Sequence, residues 1–301
     1  MSNFPKVSIC IPTFNQVEYL TLTLNSIFIQ NYTDYEIIIS DDSNNTLVFD
    51  LVSEYISKGK QIKYFKNKIA LGSPENWNSA IRYAKGEFIK IIHHDDRFVE
   101  SSSLMKFIEL FETNSDIGLV FSGSKISDGI NKSRFHELND IQFLNLKKDN
   151  KSIYRANVIG SPTAVMYRRS LNIEFDKNLK WLVDMEFYFQ IMKKGSIINY
   201  TNQHLIETFI PTDRITNSCY MNKEVEIPEH LYFMEKHKLF DYKNINYCVE
   251  LCLKLNVLNQ KQIRECGFDS KINKLLLLLL QIKSSKFYLY YSKIVRKLKK
   301  Y

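Results

Sequence analysis

Two clusters of acidic and polar residues in this 301-residue chain directly follow apolar runs. Asp41 and Asp42 follow one run, and the tetrapeptide His93-His94-Asp95-Asp96 follows another. A carboxylate pair such as Asp95-Asp96 suits Mg²⁺ or Mn²⁺, which takes one or two protein oxygens and completes its shell with phosphate and water. Two alternatives remain open: either aspartate could cap a turn or a helix, and the two histidines could form a different metal site or have a structural role.

The nine glycines of the chain form neither a GxGxxG fingerprint nor a loop ending in Gly-Lys-Ser/Thr. These patterns are typical of dinucleotide oxidoreductases and P-loop phosphotransferases, so the sequence disfavours both classes. A diphosphate bound by this chain would instead be held through a divalent cation on the Asp95-Asp96 pair.

The elements that must position these clusters alternate along the first part of the chain. Apolar runs predict strands at 7–11, 35–40, 61–65, 87–92 and 117–121, and helical periodicity predicts helices at 18–29, 47–57, 75–84 and 102–111. Strands and helices in strict alternation predict an α/β fold with a mostly parallel sheet flanked by helices. Ligands of such sheets bind beyond the carboxyl ends of the strands, where both acidic clusters lie.

The second part of the chain is less regular. Residues 122–155 are polar and rich in Lys and Asn, and we expect loops with short irregular elements there. An element resumes at 162–167, residues 181–194 predict a helix, and residues 204–209 predict a closing strand. Beyond Pro228 the pattern is helical without a strand signal, which predicts a C-terminal helical appendage.

Four segments, in order, resemble the family 2 glycosyltransferases of the GT-A fold. They contain the first strand and turn, the second strand with its acidic end, the stretch leading into the carboxylates, and the start of a later helix: Val7–Asn15, Ile37–Ser43, Asn76–Asn78 with Ala84–Asp96, and Trp181–Tyr188. The resemblance covers roughly residues 6–220. It implies a GT-A domain over residues 1–222, a C-terminal helical region over 223–301, and inverting sugar transfer of the bacterial polysaccharide-biosynthesis type.

The resemblance also implies which residues bind a nucleotide-sugar donor: Pro12, Thr13, Phe14, Asn15, Glu18, Asp41, Asn78, Asp95 and Arg214. An aromatic ring can stack on a base, and a carboxylate can accept a hydrogen bond from an imide N–H such as that of uracil, so we expect a UDP-sugar. Alternatives are that Phe14 belongs to the core, that Glu18 is a solvated acid of the first helical turn, and that Asp42 forms a turn.

By the same resemblance, Asp96 ligates Mn²⁺ or Mg²⁺ that bridges the two phosphates, and Asp95 contacts the ribose or the donor sugar. The metal would stabilise the leaving diphosphate. Asp184 and Glu186 are two positions apart, about 200° around a helix, so only one of them can face a cleft. The family pattern makes Asp184 the general base, although it could instead only cap its helix.

The chain departs from the family pattern at three places. His93 replaces the first acid of the carboxylate motif, Val183 replaces the Glu before the base, and Asp213-Arg214-Ile215-Thr216 stands where many members carry Arg-x-His. The missing histidine removes one possible ligand of metal or phosphate and leaves the arginine as a candidate phosphate contact. Gly160–Thr163 resembles the loop that borders the acceptor, although it could simply turn the chain. Trp181 could stack on a sugar or pack in the core.

The C-terminal segment carries the positive charge of the chain. Residues 271–301 contain nine Lys or Arg and no acid, against a net charge of +8 for the whole chain, so the remainder is close to neutral. In residues 286–301, basic side chains alternate with aromatic and apolar ones, which favours contact of the segment 283–301 with an anionic membrane surface. A solvated or flexible end is the alternative, and we expect no nucleic-acid partner, although this composition also suits single strands.

The remaining features bear on the cellular compartment. Five scattered cysteines without a CxxC pair predict reduced thiols. No export signal is visible, and the longest apolar run, Leu275–Leu280, is too short to cross a bilayer. These features predict a cytoplasmic protein, and the family resemblance implies a peripheral position on the inner face of the cytoplasmic membrane.

Together these observations predict an inverting glycosyltransferase. It would move a sugar from a nucleotide-sugar donor to a hydroxyl of a glycan or lipid-linked glycan acceptor in cell-surface polysaccharide synthesis. The alternative is a non-catalytic protein of the same fold that binds a nucleotide-sugar or a glycan. The donor sugar and the acceptor depend on loop contacts that the sequence does not reveal.

Overall fold

A computed structural model of the chain describes residues 4–128, 133–209 and 215–285. Its internal contacts divide the chain into two units. The sheet unit comprises the described residues of 1–178 and 183–212, and the helical unit comprises residues 179–182 and the described residues of 213–301. The sequence-based boundary at 222/223 lies close to this division, but the assignment of residues 179–182 to the helical unit was not predicted.

Within the described residues, the sheet unit contains a nine-stranded mixed sheet. Its strands are β1 (Val7–Thr13), β2 (Tyr35–Asp41), β3 (Lys63–Lys66), β4 (Phe88–Ile91), β5 (Asp96–Phe98), β6 (Ile117–Ser127), β7 (Ser133–His136), β8 (Val165–Arg168) and β9 (Ile197–Phe209). The order is β3-β2-β1-β4-β8-β6-β9-β5, with β7 also paired to β6. The pairs among β3, β2, β1 and β4 and the β6–β9 pair are parallel, and the other pairs are antiparallel. The predicted α/β class is confirmed.

The sheet unit contains six α-helices among its described residues. They are α1 (Val17–Phe28), α2 (Leu47–Ser57), α3 (Glu75–Tyr83), α4 (Ser103–Glu112), α5 (Asp140–Lys148) and α6 (Val183–Lys193). In α1, for example, Leu20, Leu24 and Ile27 are buried. Every residue of β1 is also buried, as expected for a central strand of a parallel sheet covered by helices. The core therefore lies on the strands whose carboxyl ends carry the acidic clusters.

The region predicted as loops, residues 122–155, contains more regular structure than expected. Strand β6 continues to Ser127, and β7, α5 and a short 3₁₀ helix, Asn150–Tyr154, follow it. Helix α5 begins with a reciprocal capping box between Asn139 and Gln142, but Leu146 is its only buried residue. With one buried apolar position, the helix has no amphipathic stripe that periodicity could detect.

The helical unit confirms the predicted C-terminal helices in its described part. They are α7 (Ile215–Cys219), α8 (Lys223–His237), α9 (Tyr242–Lys254), α10 (Gln260–Glu265) and α11 (Lys274–Ser284). The carboxylate of Glu229 on α8 accepts hydrogen bonds at 2.8 to 2.9 Å from the backbone N–H groups of Lys180, Trp181 and Leu182. This contact explains why the segment 179–182 belongs to the helical unit.

Two sequence-based expectations about the whole chain can be compared with the structure. All five cysteines are buried free thiols, as predicted. None of the helices in the described segments is long and apolar enough to cross a membrane. The basic aromatic tail lies outside the described residues from position 286 onward.

Asn78, which the sequence analysis assigned to donor binding, makes a structural contact instead. Its side chain is 1% exposed; its amide donates to the Phe175 carbonyl at 2.9 Å and accepts from the Phe175 N–H at 2.8 Å. Its Nδ2 also donates to Glu75 at 3.2 Å. A ligand could use this amide only by breaking its bonds to a buried peptide group, so we remove Asn78 from the donor site.

Replacing Asn78 with Ala should destabilise the protein and leave nucleotide binding unchanged. The Phe175 N–H and C=O would remain buried without partners, so the free energy of unfolding should fall by about 2 to 4 kcal/mol. Urea denaturation measures this loss, and calorimetric titration with UDP measures binding. In the control Asn114→Ala, at an exposed asparagine, the loss should stay below about 1 kcal/mol. Unchanged stability with weakened UDP binding in Asn78→Ala would restore the original assignment.

Candidate active site

The carboxyl ends of β1, β2 and β4 meet at one edge of the sheet. Thr13, the last residue of β1, is in register with Asp41, the last residue of β2. On the other side of β1, Cys10 is in register with Ile91, and the Ile92 N–H continues this ladder by donating to the Cys10 carbonyl at 3.0 Å. The loops that follow the three strands therefore lie beside one another.

Asp41 is fully buried, and the protein itself supplies donors to both of its oxygens. Oδ1 accepts from the N–H and the hydroxyl of Ser43, and Oδ2 accepts from the Tyr64 hydroxyl at 2.6 Å and from Lys66 at 3.1 Å. The Ser43 hydroxyl oxygen accepts in turn from the Asn15 N–H at 2.8 Å. A base could bond directly to Asp41 only by displacing one of these donors. In this structure, Asp41 joins the turns after β1 and β2 through Ser43.

Asp42 holds the next loop in place. Its Oδ2 accepts from the backbone N–H groups of Leu71 and Gly72 at 3.0 and 2.8 Å, and its Oδ1 accepts from the Asn67 amide at 2.8 Å. These bonds join residues 25 to 30 positions apart, so Asp42 connects two loops, and they do not test the alternative that it forms a turn within its own loop.

The turn after β1 presents the predicted base-binding residues in different environments. Phe14 is 49% exposed, so the core alternative is wrong for this ring. Asn15 has a φ of 53°, in the left-handed region that asparagine tolerates, and its side-chain oxygen accepts from the Asn44 N–H. Glu18 is exposed in the first turn of α1, whereas Thr13 is buried. Phe14 is thus available for stacking on a base.

The loop after β4 is held by helix α1. The Thr23 hydroxyl lies 2.9 Å from the His94 carbonyl and 2.7 Å from the Asp96 carbonyl. On the other side, Asp96 pairs with Thr208 of β9, and its Oδ1 accepts from the Phe209 N–H at 3.3 Å. The Asp96 carboxylate is therefore buried in a fixed position, at 2% residue exposure.

His93, Asp95 and Asp96 form a cluster whose donor set fits a divalent cation, and we call it the cation cluster. One ligand atom of each residue lies within 4.8 Å of the others. Burial lowers the pKa of His93 to about 4, so its imidazole is neutral near pH 7 and keeps a lone pair. His94 is not in this cluster; its Nδ1 lies 3.4 Å from the Pro12 carbonyl. Two carboxylates beside one neutral imidazole are suitable ligands for Mn²⁺.

Helix α6 carries two acids in its first turn, in contrasting environments. Glu186 is fully buried and accepts from the Gln190 amide at 2.7 Å. Asp184 is partly exposed, and none of the described residues donates a hydrogen bond to its carboxylate. Burial without such a donor raises the pKa of Asp184 to about 7. Of this pair, Asp184 is the acid that solvent can reach.

Hydrogen bonds connect helix α6 to the loop that carries the cation cluster. Tyr188, one turn after Asp184, donates its hydroxyl to the Gly160 carbonyl at 3.1 Å. Three residues further along this loop, the Thr163 hydroxyl accepts from the His93 N–H at 3.2 Å. The loop predicted to border an acceptor thus lies between Asp184 and the cation cluster in this series of contacts.

A series of aromatic contacts makes a second connection. Phe187 of α6 stacks on Phe175 at 3.9 Å between ring centroids, and Phe175 meets Trp77 edge-on at 5.1 Å. The Trp77 ring lies 4.6 Å from that of His93. Packed aromatic rings have restricted geometry, so these contacts fix the position of helix α6 relative to the loop after β4 within the sheet unit.

Unpaired polar atoms accumulate at the same loops. Among the described residues of the sheet unit, the buried side-chain atoms without a hydrogen-bond partner are Thr13 Oγ1, His93 Nε2, Ser161 Oγ, Tyr167 OH and Thr208 Oγ1. Each such atom costs about 1 to 3 kcal/mol. Thr13 lies at the end of β1, and His93 lies in the loop after β4. Ser161 directly follows Gly160, and Thr208 pairs with Asp96. Their concentration indicates a site built for ligands or ordered water.

Sequence reasoning missed Lys90, which is fully buried in β4. Its Nζ donates to the carbonyls of Thr163 and Val165 and lies 4.1 Å from the centroid of Phe107. Burial lowers the pKa of Lys90 well below its usual value. A single lysine inside the apolar run Phe88–Ile91 was the available signal, because such a charge needs dedicated partners.

Four further predictions remain, on Arg214, the C-terminal tail, Trp181 and the loop at Gly160. Arg214 and residues 286–301 lie outside the described residues. Trp181 belongs to the helical unit, where its ring lies 6.1 Å from that of Tyr220. Gly160 has a φ of +104°, and a Cβ there would meet the His136 ring at 3.1 Å. The positive φ and the close approach of the backbone to His136 thus account for a glycine at this position, without any role in binding a ligand.

Comparisons with known proteins agree with the fold. The model of the family described as Glycosyl transferase family 2 matches residues 8–175. A poly(ribitol-phosphate) beta-glucosyltransferase of Bacillus spizizenii is 25% identical over 227 residues, which are 69% of this chain and 34% of that enzyme. This chain thus spans about a third of that relative.

Two solved structures share the fold. TarS of Staphylococcus aureus, in complex with UDP-GlcNAc, has a TM-score of 0.63 at 20% identity, covering 82% of this chain and 71% of that one. A mannosyltransferase of Pyrobaculum calidifontis, in complex with GDP-Man and Mn²⁺, has a TM-score of 0.58 at 14% identity. The match covers 100% of this chain and 82% of the mannosyltransferase chain. Since the family match spans more than half of the chain, and the sheet has the GT-A architecture of these neighbours, the chain belongs to glycosyl transferase family 2 and is a glycosyltransferase.

Proposed function

We propose that this glycosyltransferase moves a sugar from a UDP-sugar to a hydroxyl of a cell-surface glycan or lipid-linked glycan, with inversion at the anomeric carbon. The observation that carries the proposal is the cation cluster of His93, Asp95 and Asp96, joined within one unit to a partly exposed Asp184 whose pKa is near 7. The UDP-GlcNAc bound by TarS supports a UDP-sugar donor. The name of the Bacillus relative supports a surface-polymer acceptor.

The donor would bind across the edge formed by β1, β2 and β4. The exposed Phe14 ring is available to stack on the base, and Pro12, Thr13 and Asn15 would form the wall of the pocket. Asp41 would act through Ser43 and Lys66, which it holds in place, rather than through a direct bond. Glu18 would line the outer rim, since it is exposed.

Asp96 would hold a divalent cation, Mn²⁺ or Mg²⁺, and Asp95 would contact the ribose or the donor sugar. A bound cation neutralises the charge that develops on a departing nucleoside diphosphate. The hydrogen bond from Phe209 and the contacts of Thr23 keep the Asp96 carboxylate and backbone in position before any ligand arrives. Such preorganisation avoids a reorganisation cost during the reaction. Arg214 remains a candidate phosphate contact.

Asp184 would be the general base. Its carboxylate accepts the proton of the acceptor hydroxyl while that oxygen attacks the anomeric carbon, and the nucleoside diphosphate leaves from the opposite face with the bonding electron pair. A base with a pKa near 7 is half ionised at neutral pH and still basic enough to take this proton. Glu186 cannot share this role, because it is buried and bonded to Gln190.

The acceptor would approach over residues 160–163, which lie next to the cation loop through the Thr163–His93 bond. A lipid-linked acceptor would bring the enzyme to the cytoplasmic face of a membrane. Contact of the segment 283–301 with anionic lipid would assist this through its basic residues beyond Lys283, at about 1 kcal/mol for each basic side chain near the surface. Lys283 itself is buried and paired with Glu250 at 2.6 Å.

Replacing Asp184 with Asn should reduce sugar transfer by about 10²- to 10⁴-fold while UDP binding persists, because only the proton acceptor is lost. In the unaltered enzyme, kcat/KM for the acceptor should rise with pH as a single ionisation near pH 7, since the deprotonated form is the active one. Transfer assays at a series of pH values, with calorimetric titration by UDP, measure both quantities.

The matched control is Asp116→Asn, at an exposed acid just before β6, which should retain full activity. If Asp184→Asn transfers sugar as fast as the unaltered enzyme, Asp184 is not the base. If the purified protein binds UDP and never turns over, the non-catalytic alternative replaces the proposal.

The same substitution should stabilise the fold at high pH. The folded-state pKa of Asp184, about 7, lies above its model-peptide value of 3.8, so the folded state binds more protons between these values. Stability is therefore lost as the pH rises through this window. Thermal unfolding should give similar midpoints for the unaltered protein and Asp184→Asn near pH 4, and a higher midpoint for the variant near pH 8. A midpoint difference that does not change with pH would contradict a raised pKa of Asp184 in the folded state.

A further inference from the structure

The cation cluster contains an imidazole as well as carboxylates. His93 Nδ1 lies 3.9 Å from Asp96 Oδ2, and one ligand atom each of His93, Asp95 and Asp96 lies within 4.8 Å of the others. Two ligands of one small divalent ion, each about 2.1 Å from it, are separated by roughly 3 to 4 Å. The His93–Asp96 distance fits this range, and Asp95 offers a ligand atom within 4.8 Å of both.

The imidazole is held at the cluster from several sides. The backbone N–H of His93 donates to the Thr163 hydroxyl at 3.2 Å, which fixes the main chain beneath the ring, and the ring itself lies 4.6 Å from that of Trp77. The Trp77 ring is supported in turn by Phe175 at 5.1 Å. Displacing the His93 ring from the cluster would require these aromatic contacts to rearrange, so the side chain is preorganised beside Asp96.

The hydrogen bonding of His93 leaves this ring available for a ligand. Its Nε2 is buried and has no partner among the described residues. Its Nδ1 has Asp96 as its neighbour at a distance too long for a hydrogen bond. The adjacent His94 differs in this respect, because its Nδ1 lies 3.4 Å from the Pro12 carbonyl and it is not in the cluster. Sequence adjacency therefore does not make the two histidines equivalent.

We propose that His93 Nδ1 is a third protein ligand of the divalent cation, beside Asp95 and Asp96, and that it makes the site select Mn²⁺ over Mg²⁺. Imidazole suits transition metals, whereas Mg²⁺ prefers sites made of oxygen atoms only. His93 is thus a specificity-determining residue for the cation. This inference rests on the proposed function only for the presence of a cation in the cluster.

Nitrogen ligation can be detected directly, without an activity assay. The full chain, freed of metal by a chelator, would be loaded with Mn²⁺ in a nitrogen-free buffer, alone and with inorganic pyrophosphate. Pyrophosphate supplies a diphosphate without adding nitrogen. Electron spin echo modulation of the bound Mn²⁺ should show a ¹⁴N coupling typical of an imidazole. The coupling should disappear in His93→Asp and persist in the matched control His94→Gln.

Affinity provides the second measurement. Competition between Mn²⁺ and Mg²⁺, followed through the signal of free Mn²⁺, should show the preference for Mn²⁺ falling about tenfold or more in His93→Asp and staying unchanged in His94→Gln. His93→Asn serves as a second variant if the introduced carboxylate disturbs folding. The spectrum of the unaltered protein tests for a nitrogen ligand of Mn²⁺ even if both variants fail to fold.

The outcomes separate this inference from the proposed function. If Mn²⁺ binds, is lost in Asp96→Asn and shows no ¹⁴N coupling, His93 is not a ligand and the proposed function stands. If Mn²⁺ does not bind with or without pyrophosphate, both this inference and the role of the cation are overturned. A ¹⁴N coupling that survives in His93→Asp would assign the nitrogen to another residue and overturn the inference.

Discussion

The parallel register of β1 with β2 and β4 is the constraint on which the site depends. It fixes Thr13 beside Asp41 and Cys10 beside Ile91, so that segments distant in the sequence end at the same edge. A slip of one residue would exchange the faces of every side chain in β1, which is buried along its whole length. The loops therefore begin from strands held in a buried part of the sheet, and side-chain hydrogen bonds then fix their polar groups.

Environment, rather than residue type, separates the roles of the three aspartates. Asp41 is surrounded by donors from its own chain, and its negative charge organises the turns around it. Asp96 is buried beside an imidazole and suits a cation. Asp184 is partly buried and accepts no hydrogen bond from the described residues. Desolvation therefore raises its pKa to about 7, which suits it to take a proton. Carboxyl groups whose surroundings drive their properties apart are typical of sites that combine charge stabilisation with acid–base chemistry.

Much of the fold was predictable, because the apolar runs of β1, β2 and β4 are continuous and the helices between them are amphipathic. The family membership followed from motifs at the ends of these elements, including Asp95-Asp96. Contacts between distant residues were not predictable. The role of Asn78 depends on Phe175. The bonds of Asp41 depend on Tyr64 and Lys66, and a sequence does not indicate that these donors already occupy both oxygens.

The central claim is that a cation held at Asp96 activates a nucleotide-sugar in the pocket formed by the sheet edge. Its most direct test is to incubate the purified protein with UDP-, GDP- and dTDP-sugars, with and without Mn²⁺, and to measure the nucleoside diphosphate released by slow hydrolysis. The account predicts that a UDP-sugar is hydrolysed when Mn²⁺ is present and that Asp96→Asn abolishes this release. If the protein neither hydrolyses nor binds any of these donors, the claim is contradicted.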